Sequence, residues 1–159
     1  MPAGDTVMKL EREGAFLIAQ IHQLGGRIFS GLLREHRLNE ISPAQGRILF
    51  VLWQEDNISI QELAEKTSLS KSTLTIMLDR LEESGHIVRV PSRGDRRKIL
   101  IRLTEKNRAL QNSYVKVSKA MIEICYAGFN SREIDAFEKN LRKILGNLKA
   151  CEKNMKDTA

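Results

Sequence analysis

The sequence is poor in cysteine, the residue that could cross-link a fold or hold a soft metal. Its two cysteines, Cys125 and Cys151, stand far apart among 159 residues, with no histidine cluster beside them. A disulfide scaffold and a metal site are therefore not expected. Cys125 follows Ile124 on a predicted helical stripe, which favours a small buried side chain. A redox role for either thiol stays an open alternative.

Long apolar runs and catalytic motifs are absent as well. No segment approaches the ~20 apolar residues that cross a bilayer, and residues 1–9 lack the pattern of a secretory signal. We expect a cytoplasmic protein that does not bind membranes. The sequence has no glycine-rich phosphate loop or nucleophile elbow, and His22, His36 and His86 fall in different segments. No catalytic residue, metal or cofactor is predicted, so an enzyme is disfavoured.

Positive charge, by contrast, is in excess and is concentrated in one region. The formal net charge is +6 at pH 7, which favours an anionic partner such as nucleic acid. Acidic residues cluster between positions 62 and 83, and basic residues follow between positions 86 and 106. This basic group comprises Arg89, Arg93, Arg96, Arg97, Lys98, Arg102 and Lys106.

Apolar residues recur at spacings of three and four over most of the chain, which predicts amphipathic helices. The expected helices cover residues 10–37, 43–54, 61–67, 70–84, 105–127 and 131–148, and a polar tail follows over residues 152–159. Gly25 and Gly26 weaken the first helix and mark either a bend or a close contact with another helix. Helix starts are indicated by Ser42-Pro43, Ser70, Thr104 and Ser131, and a helix end by Gly85.

The middle of the chain also contains β-prone segments. Residues 87–90 and 99–103 are rich in β-branched side chains, and residues 91–95 between them have turn chemistry, which predicts a hairpin with a basic tip. A shorter β-prone segment covers residues 57–60. The expected fold is mostly α with a small β-hairpin wing. The order of helix, turn, helix and basic hairpin is that of a winged helix-turn-helix.

The second helix of such a module enters the major groove of DNA, and here it covers residues 70–84. Small polar side chains and one cation at its start fit close to base edges and phosphates; they are Ser70, Lys71, Ser72, Thr73 and Thr75. Arginines at the hairpin tip can reach the minor groove; they are Arg93, Arg96 and Arg97. Phosphate contacts are predicted for Arg80, Arg89 and Lys98. Taken singly, each basic residue is most simply a solvated surface charge, and their clustering favours contact with DNA.

Several short segments of this region resemble the multiple antibiotic resistance regulator (MarR) family. They are IQELA at residues 60–64, LT at 74–75, LDRLE at 78–82, Gly85, DRR at 95–97 and LTE at 103–105. The resemblance covers about residues 41–106, and the long flanking helices agree with it in position and length. It implies that Arg97 is the minor-groove arginine and that Asp95 orients the wing by pairing with a basic neighbour. The chain departs from the family at Ile76, where many members carry a polar or basic residue, and at Asn107, where glycine is usual.

The resemblance also implies a homodimer in which the N-terminal helix and the last two helices of each chain interlock. Residues 1–40 and 105–151 would then form the dimerisation region, and residues 41–104 the DNA-binding domain. Three amphipathic helices beside so small a module favour the same conclusion, because they have more apolar surface than its core can cover. Two-fold symmetry predicts a pseudo-palindromic operator in double-stranded DNA, with recognition helices about 34 Å apart.

Members of this family often bind small aromatic acids or other apolar anions in a cleft between the dimerisation helices and the winged module. The candidates for such a cleft here are His22, Arg27, Arg47 and Trp53, because a cation beside an aromatic ring suits an aromatic carboxylate. The simpler roles are a core position for Trp53 and a surface or interface position for His22.

The sequence is compatible with two functions. The favoured one is a sequence-specific regulator, usually a repressor, whose DNA affinity is controlled by a small aromatic or anionic effector. The alternative is an architectural DNA-binding protein with low specificity and no effector. A preference of about a thousandfold for one site over random DNA distinguishes the first from the second.

Overall fold

The computed structural model describes residues 12–158 and confirms a mostly helical fold with a small antiparallel sheet. In that range the helices are α1 (Gly14–Glu35), α2 (Pro43–Gln54), α3 (Ile60–Thr67), α4 (Lys71–Glu83), α5 (Glu105–Cys125) and α6 (Ser131–Asp157). The strands are β1 (Ile58–Ser59), β2 (Ile87–Pro91) and β3 (Ile99–Leu103). None of these described helices is both long and apolar enough to span a membrane.

The chain divides into two compact units, one ending at Lys119 and the other beginning at Ala120. The hydrophobic core lies in the first unit, where α2, α3 and α4 pack with the sheet. Its fully buried members on these helices are Ile48, Leu49, Leu52, Leu63, Leu74, Leu78 and Leu81. Burying these apolar side chains is the main source of stability for the module, at roughly 1.5–3 kcal/mol for each large side chain.

The sheet has the order β1-β3-β2, and both pairings are antiparallel. Ile58 lies opposite Ile101, and Ile87 lies opposite Leu103, so buried side chains from all three strands meet on the face that joins the core. The β2–β3 hairpin agrees with the sequence prediction. The β-prone segment before α3 becomes a third strand, and Asp56 just before it accepts a hydrogen bond from the Leu103 N–H at 2.9 Å.

Most helix ends follow the local signals. Ser42 forms a capping box at the start of α2, Thr104 Oγ1 accepts from the Asn107 N–H at 3.2 Å, and Gly85 has a left-handed φ of 76° after α4. The predicted cap of α6 was wrong. Asn130 caps this helix instead of Ser131, because the Asn130 side chain reaches the backbone N–H three residues on.

Two helices are more regular than their sequences suggested. α6 continues to Asp157 through residues predicted as a polar tail, since these residues include good helix formers and the tail contains no glycine or proline. α1 is one continuous helix through Gly25 and Gly26. A Cβ added at Gly26 would meet nothing within 4 Å, so among the described residues this glycine makes no close helix contact. Residues 10 and 11, where that helix was predicted to begin, lie outside the described range.

The second unit consists of the end of α5 and α6. Tyr126 meets Phe129 and Phe137 edge-on at centroid distances of 6.0 and 6.4 Å, and its hydroxyl donates to Glu138 Oε1 at 3.0 Å. Many apolar side chains of this unit stay exposed, among them Ile122, Ile124, Phe129, Phe137, Ile144, Leu145, Leu148 and Met155. Cys125 is exposed too, so its predicted burial is wrong for the single chain.

Candidate nucleic-acid interface

Helix α4, which we call the recognition helix, is held by one apolar face. Leu74, Leu78 and Leu81 are fully buried at spacings of four and three, so the opposite face points outward. Ser70 caps the helix, because its Oγ accepts from the Thr73 N–H at 3.2 Å. The beginning of α4 is exposed to solvent.

The polar side chains predicted at the start of α4 are all exposed. Some of their hydrogen-bonding capacity is used within the helix: Ser70 Oγ donates to Thr73 Oγ1 at 2.9 Å, and Thr75 Oγ1 donates to the Lys71 carbonyl at 2.8 Å. Ser72 Oγ lies 3.2 Å from Ser70 Oγ. The hydroxyls of Ser70 and Thr75 therefore face a partner mainly as acceptors, because each has one proton to donate.

The turn of the wing is organised by Asp95. Its Oδ1 accepts from the Arg97 N–H at 3.0 Å, and its carbonyl accepts from the Lys98 N–H at 2.9 Å. The Ser92 N–H closes the turn on the Lys98 carbonyl at 2.8 Å. The predicted pairing of Asp95 with a basic side chain is not seen among residues 12–158. Asp95 orients the wing through backbone amides instead, because its short side chain bonds the amide two residues on.

The basic residues of this turn project into solvent. Arg93, Arg96, Arg97 and Lys98 are all exposed, as is Arg80 on α4. Within the described part of the chain none of the five takes part in an ion pair. Their positive charges are thus not neutralised there by neighbouring carboxylates. Such a surface attracts a polyanion and releases counterions when it binds one.

Arg89 has a different environment from the other arginines. Its guanidinium pairs with Asp79 of α4 at 2.6 Å and with Glu82, and 21% of its side chain is exposed. Although burial lowers the pKa of Arg89, hydrogen bonds to the two carboxylates outweigh that effect and raise the pKa above its ordinary value. Arg89 thus joins the first strand of the wing to the recognition helix. Its predicted phosphate contact would have to compete with this pair of carboxylates.

A buried polar network lies behind the recognition helix, and sequence analysis did not predict it. Trp53 Nε1 donates to Asn107 Oδ1 at 2.8 Å, and Asn107 Nδ2 lies 3.2 Å from His86 Nδ1. Asn107 and His86 are fully buried. Since the indole N–H only donates, the amide nitrogen of Asn107 faces His86 and Nδ1 must accept. The imidazole proton is therefore on Nε2, which is 3.5 Å from Glu40 Oε2.

The network joins Trp53 and His86 of the winged module to Asn107, just after the module, and Glu40 lies just before it. His86 lies between the left-handed Gly85 and strand β2, so it marks the junction of the recognition helix with the wing. Burial lowers the pKa of His86, Lys106 lowers it further, and Glu40 opposes both. The one available signal in the sequence was Asn107, an amide where the MarR family usually has glycine.

An aromatic cluster fixes the position of α2. The centroid of the Tyr114 ring lies 4.5 Å from the centroid of the Trp53 ring and 5.7 Å from that of the Phe29 ring. Tyr114 also lies over Gly46, where an added Cβ would be 1.8 Å from the hydroxyl oxygen. Burial raises the pKa of Tyr114, and the charge of Arg47 partly offsets this.

The four residues predicted to line an effector cleft are only partly brought together. Trp53 is half-buried in the aromatic cluster, and the exposed Arg47 is close enough to act on Tyr114. His22 and Arg27 are exposed on α1. Arg27 lines a shallow groove whose other members, Phe16, Ala19, Gln20, Gln23 and Leu24, also belong to α1. No hydrogen bond or ion pair joins His22 or Arg27 to the other two candidates within residues 12–158.

Comparison with known proteins identifies the family of this chain. The sequence model of the MarR family matches residues 41–99, from just before α2 to the start of β3. The organic hydroperoxide resistance transcriptional regulator of Bacillus subtilis is 34% identical over 110 residues, which cover 69% of this chain and 73% of that protein. The chain belongs to the MarR family. The sequence resemblance is thereby confirmed, and a family of transcriptional regulators, not of enzymes, is established.

The chain is also similar to a second regulator and to a solved structure. The HTH-type transcriptional regulator TtmR of Methylorubrum extorquens is 36% identical over 107 residues, which cover 67% of this chain and 53% of that protein. The alignment thus spans about half of that relative. The structure of a cysteine-to-serine mutant of MarR from E. coli, complexed with operator DNA, is 26% identical with a TM-score of 0.72. It covers 82% of this chain and 92% of its own.

Proposed function

We propose that this member of the MarR family is a sequence-specific repressor of transcription that binds a pseudo-palindromic operator in double-stranded DNA. One observation carries the proposal: the polar start of α4 and the basic turn of the wing are both exposed on one module, in which Arg89 joins strand β2 of the wing to α4. The start of α4 would enter the major groove, and Arg93, Arg96 and Arg97 would reach the adjacent minor groove. The solved complex of MarR from E. coli with operator DNA supports this assignment.

We propose further that the DNA-binding form is a homodimer. Apolar side chains on α1 remain exposed, namely Phe16, Leu17, Ile18, Ile21, Leu24 and Ile28, and so do those already named on α5 and on α6 as far as Leu148. Exposed apolar surface of this extent is typical of an interface. In this arrangement residues 1–40 and 105–151 form the dimer, residues 41–104 bind DNA in the cytoplasm, and residues 152–159 stay outside the interface.

An effector would act on α2 and its surroundings. The half-buried Trp53 and the nearby cation of Arg47 are the two predicted contacts that the aromatic cluster brings together. An aromatic acid would bind there by stacking and by pairing its carboxylate with the arginine. Calorimetry with salicylate tests this effector site. A heat of binding that the wild type shows and Arg47→Ala lacks supports the site. No heat of binding, together with unchanged DNA affinity, contradicts it.

The central experiment compares two DNAs of equal length, one from upstream of the protein's own coding sequence and one random. Binding is measured across a salt series for the wild type, Arg97→Ala and Arg80→Ala. We expect the upstream DNA to bind about a thousandfold more tightly, and Arg97→Ala to weaken that binding and reduce the salt slope by about one. Equal binding to both DNAs would indicate the architectural function instead. No binding to either would contradict both functions.

A further inference from the structure

The outward face of the recognition helix has an apolar side chain at its centre. Ile76 is 56% exposed, although the helix is otherwise polar on this side. At 3.6 residues per turn, Ile76 points about 160° away from both Leu74 and Leu78. It lies one turn beyond Ser72 and one turn before Arg80, in the middle of the surface assigned above to the major groove.

The fold does not explain an isoleucine at this position. Ile76 is not part of the hydrophobic core or of the half-buried residues packed against it. Its β-branched side chain is also a slightly poorer helix former than the common polar residues. The position would therefore accept a polar residue without loss of stability, so its side chain is available for recognition.

The chemistry of DNA limits what Ile76 can contact. Base pairs present hydrogen-bond donors and acceptors in the major groove, and the C5 methyl group of thymine is the apolar group among them. An isoleucine pressed against donors or acceptors would remove them from water without replacing their hydrogen bonds, which is unfavourable. Against a thymine methyl it buries apolar surface on both partners.

We infer that Ile76 is a specificity-determining residue that reads a thymine methyl group in each half of the operator. The inference rests on the proposed function, because it requires α4 to lie in the major groove. The neighbouring polar groups would position the helix in the groove. Ser72 and Thr73 lie one turn before Ile76 on the same side of α4, and Lys71 adds a cation at the start of α4. Base selection at the centre of the face would then come from shape and apolar contact.

The test replaces thymine by uracil, which lacks only this methyl group. Preferred sites are first selected from randomised duplexes with the full chain, and each thymine of the selected site is then replaced singly. Binding is measured for the wild type, Ile76→Val and Ile76→Ser. Val88→Ser serves as a matched control, since Val88 is an exposed β-branched residue on the wing strand β2.

In the wild type, a single uracil at the contacted thymine of either half-site should weaken binding about fourfold, the effect of losing one buried methyl group. Ile76→Val and Val88→Ser should keep this discrimination, and Ile76→Ser should bind thymine and uracil sites equally. Circular dichroism melts check that all variants fold. A selected site with no uracil-sensitive thymine, or with the same sensitivity in Ile76→Ser, overturns the inference alone. Failure to select any site overturns the proposed function and the inference together.

Discussion

At the scale of single residues, the most informative feature is a histidine with no exposed surface. His86 is held by Asn107 on one nitrogen, and no hydrogen bond within residues 12–158 satisfies the other. Protonation would convert the nitrogen that accepts from Asn107 into a donor, so two donors would face each other. A buried charge and a clash between two donors both cost free energy, so the folded protein favours neutral His86.

This preference predicts that acid destabilises the protein through His86. In the unfolded chain, His86 takes up a proton as the pH falls below its ordinary pKa of 6.5. In the folded chain the pKa of His86 is lowered, so the same proton binds only at lower pH. Stability therefore rises with pH in the window between the lowered pKa and 6.5, and it is lost as the pH falls through that window. Thermal melting between about pH 5 and pH 7.5 measures the slope.

The slope of stability against pH should be smaller in His86→Gln than in the wild type, whatever the absolute stability of that variant. His22→Gln, which changes an exposed histidine on α1, should keep the wild-type slope. An undiminished slope in His86→Gln would assign the acid sensitivity to other groups.

Gly46 of α2 is packed closely against the Tyr114 side chain. An alanine there would place its Cβ 1.8 Å from the Tyr114 hydroxyl oxygen, so the ring or α2 must shift. We expect Gly46→Ala to lower the free energy of unfolding by about 1–3 kcal/mol, as overpacking usually does. Urea denaturation measures this change.

Two variants sharpen the Gly46 test. Adding Tyr114→Phe removes the nearest atom and should recover part of the loss. Gly31→Ala introduces the same methyl group in α1, where a Cβ meets nothing within 4 Å, and should be neutral or stabilising. Equal losses at Gly46 and Gly31 would mean that the contact with Tyr114 is not the cause.

At the scale of elements, the attachment of the wing to α4 distinguishes Arg89 from the arginines of the turn. Arg89→Ala should lower the free energy of unfolding by about 1–2 kcal/mol, because it removes hydrogen bonds between charged groups. Arg93→Ala should change stability by less than about 0.5 kcal/mol, as exposed substitutions usually do. The two variants are compared by urea denaturation and by DNA binding across a salt series.

The DNA-binding result of the same pair separates a structural role from a phosphate contact. Arg93→Ala should reduce the salt slope by about one, because it removes one free cation from the surface that binds the polyanion. Arg89→Ala should leave the slope unchanged if its guanidinium stays with Asp79 and Glu82. A reduced slope in Arg89→Ala would restore the phosphate contact that its sequence position suggested.

At the scale of the whole molecule, the uncovered apolar stripe of α1 predicts association. Ile21, which is 59% exposed, lies in the middle of this stripe. A charge there would be buried without a partner in a dimer, so Ile21→Glu should shift the protein to monomer at micromolar concentration and weaken operator binding. Light scattering coupled to size exclusion reports the mass.

Ala19→Glu provides the matched control for charge and helix. Ala19 lies two residues from Ile21, about 200° around α1, so Ala19→Glu should leave the dimer intact. A wild-type protein that is already monomeric at this concentration would contradict the proposed homodimer.

Local signals were sufficient for most of the secondary structure, because capping and turn chemistry act over a few neighbouring residues. Ser42-Pro43 and Gly85 predicted the start of α2 and the end of α4, and the turn residues between β2 and β3 predicted the hairpin. The family followed from short motifs in the same region. Clustered charge indicated the basic turn, because exposed charges need no specific partner in the fold.

Tertiary structure alone decided which polar groups meet. Arg89 and Arg93 are both arginines of the wing in sequence, but only the packing of β2 against α4 places Arg89 between Asp79 and Glu82. Trp53, His86 and Asn107 are distant along the chain, so no periodicity or local motif could have joined them. The physical reason is that a hydrogen bond or a steric contact depends on distances of a few ångströms, which long-range packing sets and local sequence does not.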